Sequence, residues 1–139
     1  MKDGKLNSAQ RKHIQTLLRT VPFARLIGIE LDRIDYGSAE LFLDVRDELR
    51  QNKGVVHGGA IASLIDTATA FAAITVIGAS ERLSTVDLTI KYLHPLKAGR
   101  AAASAKVIKT GRRLLTISAE VVDEAGTLIA TALSTYIKA

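Results

Sequence analysis

The chain has 139 residues, 47% of them hydrophobic and 24% charged, which is the composition of one folded domain rather than of a disordered or fibrous chain. It contains no cysteine, which excludes disulfides, thiolate catalysis, Cys-ligated zinc and iron–sulfur clusters. The net charge of +5 is unevenly spread: residues 1–50 hold nine basic and eight acidic side chains, whereas residues 82–113 hold eight basic ones against Asp87 alone.

A local basic field of this kind attracts phosphate, on a nucleic acid or on a small ligand, or is simply the solvated face of a basic protein. No apolar run follows the first basic residues, so no secretory leader is predicted. The longest apolar-rich stretch, Val55 to Ala79, carries Asp66, and a bilayer interior charges about 2.5 kcal/mol or more for a central Asp. A cytoplasmic protein that does not enter membranes is expected.

Ser8 is the expected cap of a helix whose apolar residues Ile14, Leu17, Leu18 and Val21 recur at helical spacing, with Pro22 as its end. Alternation from Ile27 to Val45 around Asp35-Tyr36-Gly37-Ser38 predicts a β-hairpin. A polar loop, Arg46 to Lys53, leads into a helical segment between Gly54 and Gly78. Beyond it, strands are predicted over Thr85–Leu93, Ala101–Lys109, Leu114–Val122 and Leu128–Ile137. The last three are separated by the turns Thr110-Gly111-Arg112 and Asp123 to Gly126, as in an antiparallel meander. The outline is a single α+β domain over residues 1–139, with an N-terminal helical segment (1–22) and one long helix amid five or six antiparallel strands.

On a helical wheel, Ile61, Leu64, Ile65, Ala68, Phe71, Ala72 and Thr75 form one arc that a sheet could wrap. The opposite arc carries Ala62, Ser63, Asp66, Thr69, Ala70 and Ala73, with no Lys or Glu among them. A helix without a charged outer face is buried all round, so a second subunit or a ligand is expected on that side. Asp66 is either a hydrogen-bonded structural carboxylate, an interface contact, or a catalytic group. No Lys or Arg lies within two turns of it, and an isolated carboxylate in a low-dielectric cleft is held less acidic and serves as a general base. His57-Gly58-Gly59 stands just before this helix, where glycines permit close approach and unpaired amides at the positive helix end can stabilise an oxyanion. Alone, that tripeptide is also a common turn.

Other chemistries find little support. The three histidines, His13, His57 and His94, have no metal-ligand spacing, and no phosphate-binding glycine loop or Gly-x-Ser-x-Gly is present. Three Tyr, three Phe and no Trp make a poor stacking platform, so nucleic acid is not the expected partner.

The segments Gln51-Asn52-Lys53-Gly54-Val55-Val56-His57-Gly58-Gly59 through Asp66, Thr85 to Pro95, and the Lys109-Thr110-Gly111-Arg112 turn resemble the hotdog-fold acyl-CoA thioesterases, in the phenylacetic-acid-degradation (PaaI-like) branch. The resemblance implies a long helix wrapped by a curved antiparallel sheet, dimers joined sheet edge to sheet edge, and homotetramers built as dimers of dimers. It also implies active sites shared between subunits, in which an acyl-CoA is hydrolysed to free acid and CoA. Asp66 of one chain would activate water or attack the acyl carbon itself. The other chain would supply Gly58, whose amide polarises the thioester carbonyl, His57 to orient the loop or bind near the thioester, and Gln51 to hold water or substrate. Gln51 stands where much of the branch has Asn, and Asn52 beside it shares that claim. Thr85 matches a position that carries a hydroxyl near the carboxylate. Val55 and Gly59 would border the substrate, with Val56, Ala62, Ala70 and Ala73 as further small lining. The turn Lys109, Gly111, Arg112 and Arg113 would hold the CoA phosphates, with His94 nearby where the family often has Arg. No metal or redox cofactor is implied, CoA entering as part of the substrate. The same fold also serves as an acyl-CoA sensor without catalysis, or as a hydroxyacyl-thioester dehydratase.

Overall fold

A computed structural model describes residues 4–139. Helix α1 (Ser8–Arg19) is capped by Asn7 rather than Ser8. The Asn7 side chain accepts from the Gln10 amide at 2.8 Å, and the Gln10 side chain accepts from the Asn7 amide at 2.9 Å. This reciprocal pair satisfies two donors at once, which a Ser8 cap could not do with the same neighbour. Pro22 does not merely end α1. It opens a short helix α2 (Pro22–Ile27) in the first turn, where its missing N–H is no loss. Val21 therefore caps α2 instead of extending the α1 stripe, and Ile27 belongs to a helix rather than to the hairpin. Gly28 closes α2 at φ 87°, a left-handed conformation that favours glycine.

The strands are β1 (Glu30–Asp35), β2 (Ser38–Asp44), β3 (Leu83–Tyr92), β4 (Arg100–Thr110), β5 (Leu114–Val122) and β6 (Leu128–Lys138), with the long helix α3 (Gly58–Ile74) between β2 and β3 in the chain. They form one antiparallel sheet in the order β1-β2-β4-β5-β6-β3. The predicted β1–β2 hairpin and β4–β5–β6 meander are both present. The place of β3, at the far edge beside β6, has no local signal in the chain.

Alternate residues of the central strands face α3. Leu41 and Leu43 of β2, Leu115, Ile117 and Val121 of β5 and the alanines 101, 103 and 105 of β4 are buried against Leu64, Ile65, Ala68 and Ala72. Three alanines in a row on β4 let the helix lie close to the sheet, so the fit depends on small volume as much as on apolarity. The opposite arc of α3 is less open than the wheel suggests. Thr69 and Ala73 are fully buried by the chain itself, while Ala62, Ser63, Asp66 and Ala70 are half-buried. Among the described residues, no helix is long and apolar enough to cross a membrane.

Candidate active site

Asp66 lies in the middle of α3, on the side turned towards β3 and β6. Its Oδ1 accepts hydrogen bonds from Thr85 Oγ1 at 3.1 Å and from the Tyr136 hydroxyl at 3.1 Å. The Tyr136 hydroxyl is also 2.8 Å from the Asp66 carbonyl oxygen and 2.8 Å from Thr69 Oγ1. Asp66 Oδ2 has no partner among the described residues. One carboxylate oxygen is thus anchored and the other is not.

Thr85 reaches Asp66 because of a fault in the strand. The alternation Val86, Leu88, Ile90, Tyr92 by itself would turn Val86 inward and Thr85 outward. Between Thr85 and Asp87 the β3–β6 register slips by one residue, so Thr85 pairs with Tyr136 while Leu88 and Ile90 pair with Ser134 and Ala132. The extra residue, Val86, is 54% exposed. A β-bulge of this kind re-aims a side chain at the cost of one ladder position, and here it puts the Thr85 hydroxyl on the same face as Leu88 and Ile90.

Tyr136 was not among the expected site residues. It is buried, and burial, reinforced by the charge of Asp66 and opposed by the hydrogen bond to Thr69, pushes its hydroxyl up to about 12. The phenol therefore stays a proton donor at neutral pH. As the aromatic member of the inward-facing series Ala132, Ser134, Tyr136 it could be recognised as a core residue, but only the β6–β3 pairing brings it to Asp66.

The second group of expected residues gathers at the start of α3. His57 caps the helix: its Nδ1 accepts from the Gly59 amide at 2.7 Å, which leaves the ring proton on Nε2. A Cβ on Gly59 would come within 2.9 Å of that Nδ1, so the residue must be glycine for the imidazole to lie where it does. The Ala60 amide bonds back to the His57 carbonyl at 3.0 Å. The Gly58 amide has no acceptor among the described residues and points out of the positive end of a 17-residue helix. Tyr92 donates to the Gly58 carbonyl at 2.9 Å and steadies this turn from β3.

The loop before it is held by Arg50, whose Nη1 donates to the carbonyls of Gly54 and Lys97 at 2.5 Å each. Gln51 and Val55 are half-buried in this loop and Asn52 is exposed, and the Gln51 amide donates to the Val55 carbonyl at 2.9 Å. Val55 and Val56 thus lie at the Gly58 end of α3, whereas Ala70 lies beyond Asp66 in the other direction.

Gly58 and Asp66, expected to meet from different chains, are apart within one, and so are His94 and the basic turn. Gly58 and Asp66 are separated by eight residues of helix, about 12 Å at 1.5 Å per residue, whereas a nucleophile must come to about 3–3.5 Å of the carbon it attacks. His94, bonded to the Leu128 carbonyl at 2.9 Å, lies at the start of β6, while the Lys109–Arg113 turn lies at its end, where the Lys138 amide donates to the Arg113 carbonyl at 2.8 Å. The length of β6 separates them within one chain, so His94 could meet that basic turn only from a second copy. The turn instead stands one register step beyond the row Leu115, Tyr136, Thr85, with Lys109, Arg112 and Arg113 exposed and the Gly111 amide closing the turn onto Leu114. Among the described residues, no three His, Asp or Glu side chains come together in a way that could hold a metal ion.

A helix laid in a curled antiparallel sheet, with a fixed carboxylate on its middle turn and a glycine amide at its start, defines a class. The Thioesterase superfamily profile matches residues 53–130, and the chain belongs to that family, a thioester hydrolase of hotdog fold. Within it the chain is PaaI-like. It is 31% identical to a variant of the phenylacetic acid degradation protein PaaI from Thermus thermophilus, with a TM-score of 0.77 over 84% of this chain and 97% of that one. PaaI of E. coli, at 24% identity, shares the fold with a TM-score of 0.85 over 94% and 92% of the two chains. A medium/long-chain acyl-CoA thioesterase, YigI, of Salmonella typhimurium is 28% identical over 134 residues, covering 84% of each chain.

Proposed function

We propose that the substrate is an acyl-CoA, hydrolysed in a site where Asp66 of one copy faces the Gly58 amide of a second. The observation that carries this reading is the asymmetric Asp66 carboxylate, with two hydroxyls on Oδ1 and none on Oδ2. Oδ2 takes the proton of a water that attacks the acyl carbon, or attacks that carbon itself to form an acyl anhydride that a water then hydrolyses to the free acid. The carbonyl oxygen becomes an oxyanion against the Gly58 amide, and the CoA thiolate leaves.

The topology supports a shared site. Strand β3 is ten residues long and at an open sheet edge, with Thr85 near its start and Tyr92 at its end. Such an edge is a ready template for pairing. Two β3 edges paired antiparallel about a twofold axis set the Thr85 end of each against the Tyr92 end of the other. That arrangement brings Asp66 of one copy towards Gly58, His57 and Gln51 of its mate, and supplies what the 12 Å separation denies a single chain. The exposed Lys109, Arg112 and Arg113, close to the Thr85 row, suit the phosphates of CoA.

Free-thiol release from a panel of aryl- and alkyl-acyl-CoA esters, run on wild type and Asp66→Asn, tests the reading. The variant is expected to lose turnover by about a hundredfold or more while keeping its fold and oligomeric state. A folded Asp66→Asn protein that turns over at the wild-type rate overturns the role of Asp66. Thermal stabilisation by acyl-CoA with no turnover on any ester makes the protein a sensor instead.

A further inference from the structure

Helix α3 begins with two glycines, whose backbone freedom opposes a fixed helical turn. Three side chains restrain that turn. His57 Nδ1 accepts from the Gly59 amide at 2.7 Å, Ser63 Oγ donates to the Gly59 carbonyl at 2.7 Å, and the Tyr92 hydroxyl donates to the Gly58 carbonyl at 2.9 Å. We infer that Tyr92 is a positioning residue for the reaction: it ties Gly58, whose amide is the proposed oxyanion donor, to strand β3 and so fixes where that donor points. The inference rests on the thioesterase reading above and deepens it.

His57 and Ser63 belong to α3 or its cap, so their bonds travel with the turn and do not set its place against the sheet. Tyr92 is the last residue of β3 and reaches Gly58 from 34 positions away in the chain. Its own support is rigid: Tyr92 pairs with Ala130, the Leu93 amide donates to the Ile129 carbonyl at 2.8 Å, and Ile129 and Ala130 are fully buried. The ring also rests on Gly58, since a Cβ there would stand 3.4 Å from two of its atoms. Gly58 is thus held through its carbonyl and its α-carbon, and its amide is left to donate.

Such a restraint matters because an oxyanion donor works only within about 2.7–3.1 Å of the developing charge, and a displacement of about 1 Å costs up to about a hundredfold. Tyr92 is 52% exposed in a single chain. In the paired arrangement proposed above, its end of β3 lies against the Thr85 end of the mate, which shields the bond from competing water and strengthens it. Strand β3 then serves both halves of the chemistry: Thr85 near its start fixes the carboxylate, and Tyr92 at its end fixes the donor offered to the mate's carboxylate.

The test is a double-mutant cycle of Tyr92→Phe, which keeps the ring, with Gly58→Pro, which deletes the donor amide and keeps the carbonyl that Tyr92 holds. Thiol release from acetyl-, decanoyl- and phenylacetyl-CoA gives kcat and KM. Hydrogen exchange at the Gly59 and Ala60 amides, whose acceptors are the side chain and carbonyl of His57, is the second readout, with melting curves as a fold control. Tyr92→Phe alone is expected to lower kcat by about tenfold with KM held, the mark of an interaction made only in the transition state. It should also speed exchange at both amides by about fivefold, the worth of one hydrogen bond to the turn, with melting little changed. In the Gly58→Pro background the same change should lower kcat by less than about twofold, because no donor is left to position, whereas a merely structural role would cost as much in either background. Should Gly58→Pro fail to fold, the kcat–KM split and the exchange rates of Tyr92→Phe decide. A full loss in the Gly58→Pro background, or kcat or exchange unmoved by Tyr92→Phe, overturns the inference and leaves the thioesterase reading standing. Faster exchange in Tyr92→Phe, in a protein that hydrolyses none of the esters, upholds the tie between Tyr92 and the turn and overturns the reading.

Discussion

A carboxylate in the middle of an apolar helix is tolerated here because two hydroxyls from strands distant in sequence close on one of its oxygens. Tyr136 is the firmer of the two, being buried and bonded at once to Asp66 and Thr69. Tyr136→Phe keeps the ring and removes that bond, so Asp66 loses its fixed orientation. The expected result is a kcat lowered by about tenfold with a smaller change in KM, checked by steady-state kinetics. The same variant has a stability signature. The Tyr136 hydroxyl, at 10 in its ordinary state and about 12 in the fold, gives stability that is complete below pH 10 and lost as pH rises through 12. Over that window wild type should lose up to about 1.4 kcal/mol per pH unit more than Tyr136→Phe in denaturant titrations. Asp66 could be found from the sequence because it is the one charge on its arc of the helix. Tyr136 could not, because nothing local says which strand will lie beside Asp66.

The start of α3 is built so that one amide is left over. His57 takes the Gly59 amide with its side chain and the Ala60 amide with its carbonyl, and Gly58 donates to nothing among the described residues. Gly58→Pro deletes that donor, and its Cβ would rest against the Tyr92 ring at 3.4 Å, an ordinary van der Waals contact. Proline is accepted in the first turn of a helix, and His57, at φ −63° and ψ 135°, already has the extended geometry required before a proline. Turnover should drop by about a hundredfold with melting little changed, as read by thiol release and calorimetry. The β4–β5 turn plays a different part. Replacing Lys109, Arg112 and Arg113 together by alanine should raise KM for CoA esters by about tenfold, with kcat held, because charge-assisted contacts to phosphate act equally on substrate and transition state. The side chains are exposed, so stability should stay within about 0.5 kcal/mol. Local chemistry identified both elements, a His-Gly-Gly before an apolar helix and a Gly turn among cations. It did not show how far His94 and the basic turn lie apart within one chain, since that distance is set by the length of β6 and not by the 14 residues between His94 and Lys109.

The proposed shared site makes a prediction for the whole assembly. Asp66→Asn and Gly58→Pro are each expected to be inactive, yet a mixed dimer has one site with both defects and one with neither. Mixed dimers isolated after co-expression with two different tags should regain about half of the wild-type rate. If they stay inactive, both residues act within one chain, and the 12 Å between them would have to be closed by a rearrangement of α3.

The sequence by itself determined the elements that depend on neighbours along the chain: the helical stripe of α1, the β1–β2 hairpin around Gly37, the β4–β5–β6 meander with its turns, and the two chemically unusual features of α3. It misplaced boundaries where two local signals compete, as at Asn7 against Ser8 and at Pro22, which can end one helix or begin another. The tertiary structure alone decided which strand takes the sheet edge, the bulge at Val86 that turns Thr85 inward, and the bonds from Tyr136 to Asp66 and from Tyr92 to Gly58. These are contacts between segments far apart in sequence, and their energy comes from shape and register that no window of residues contains.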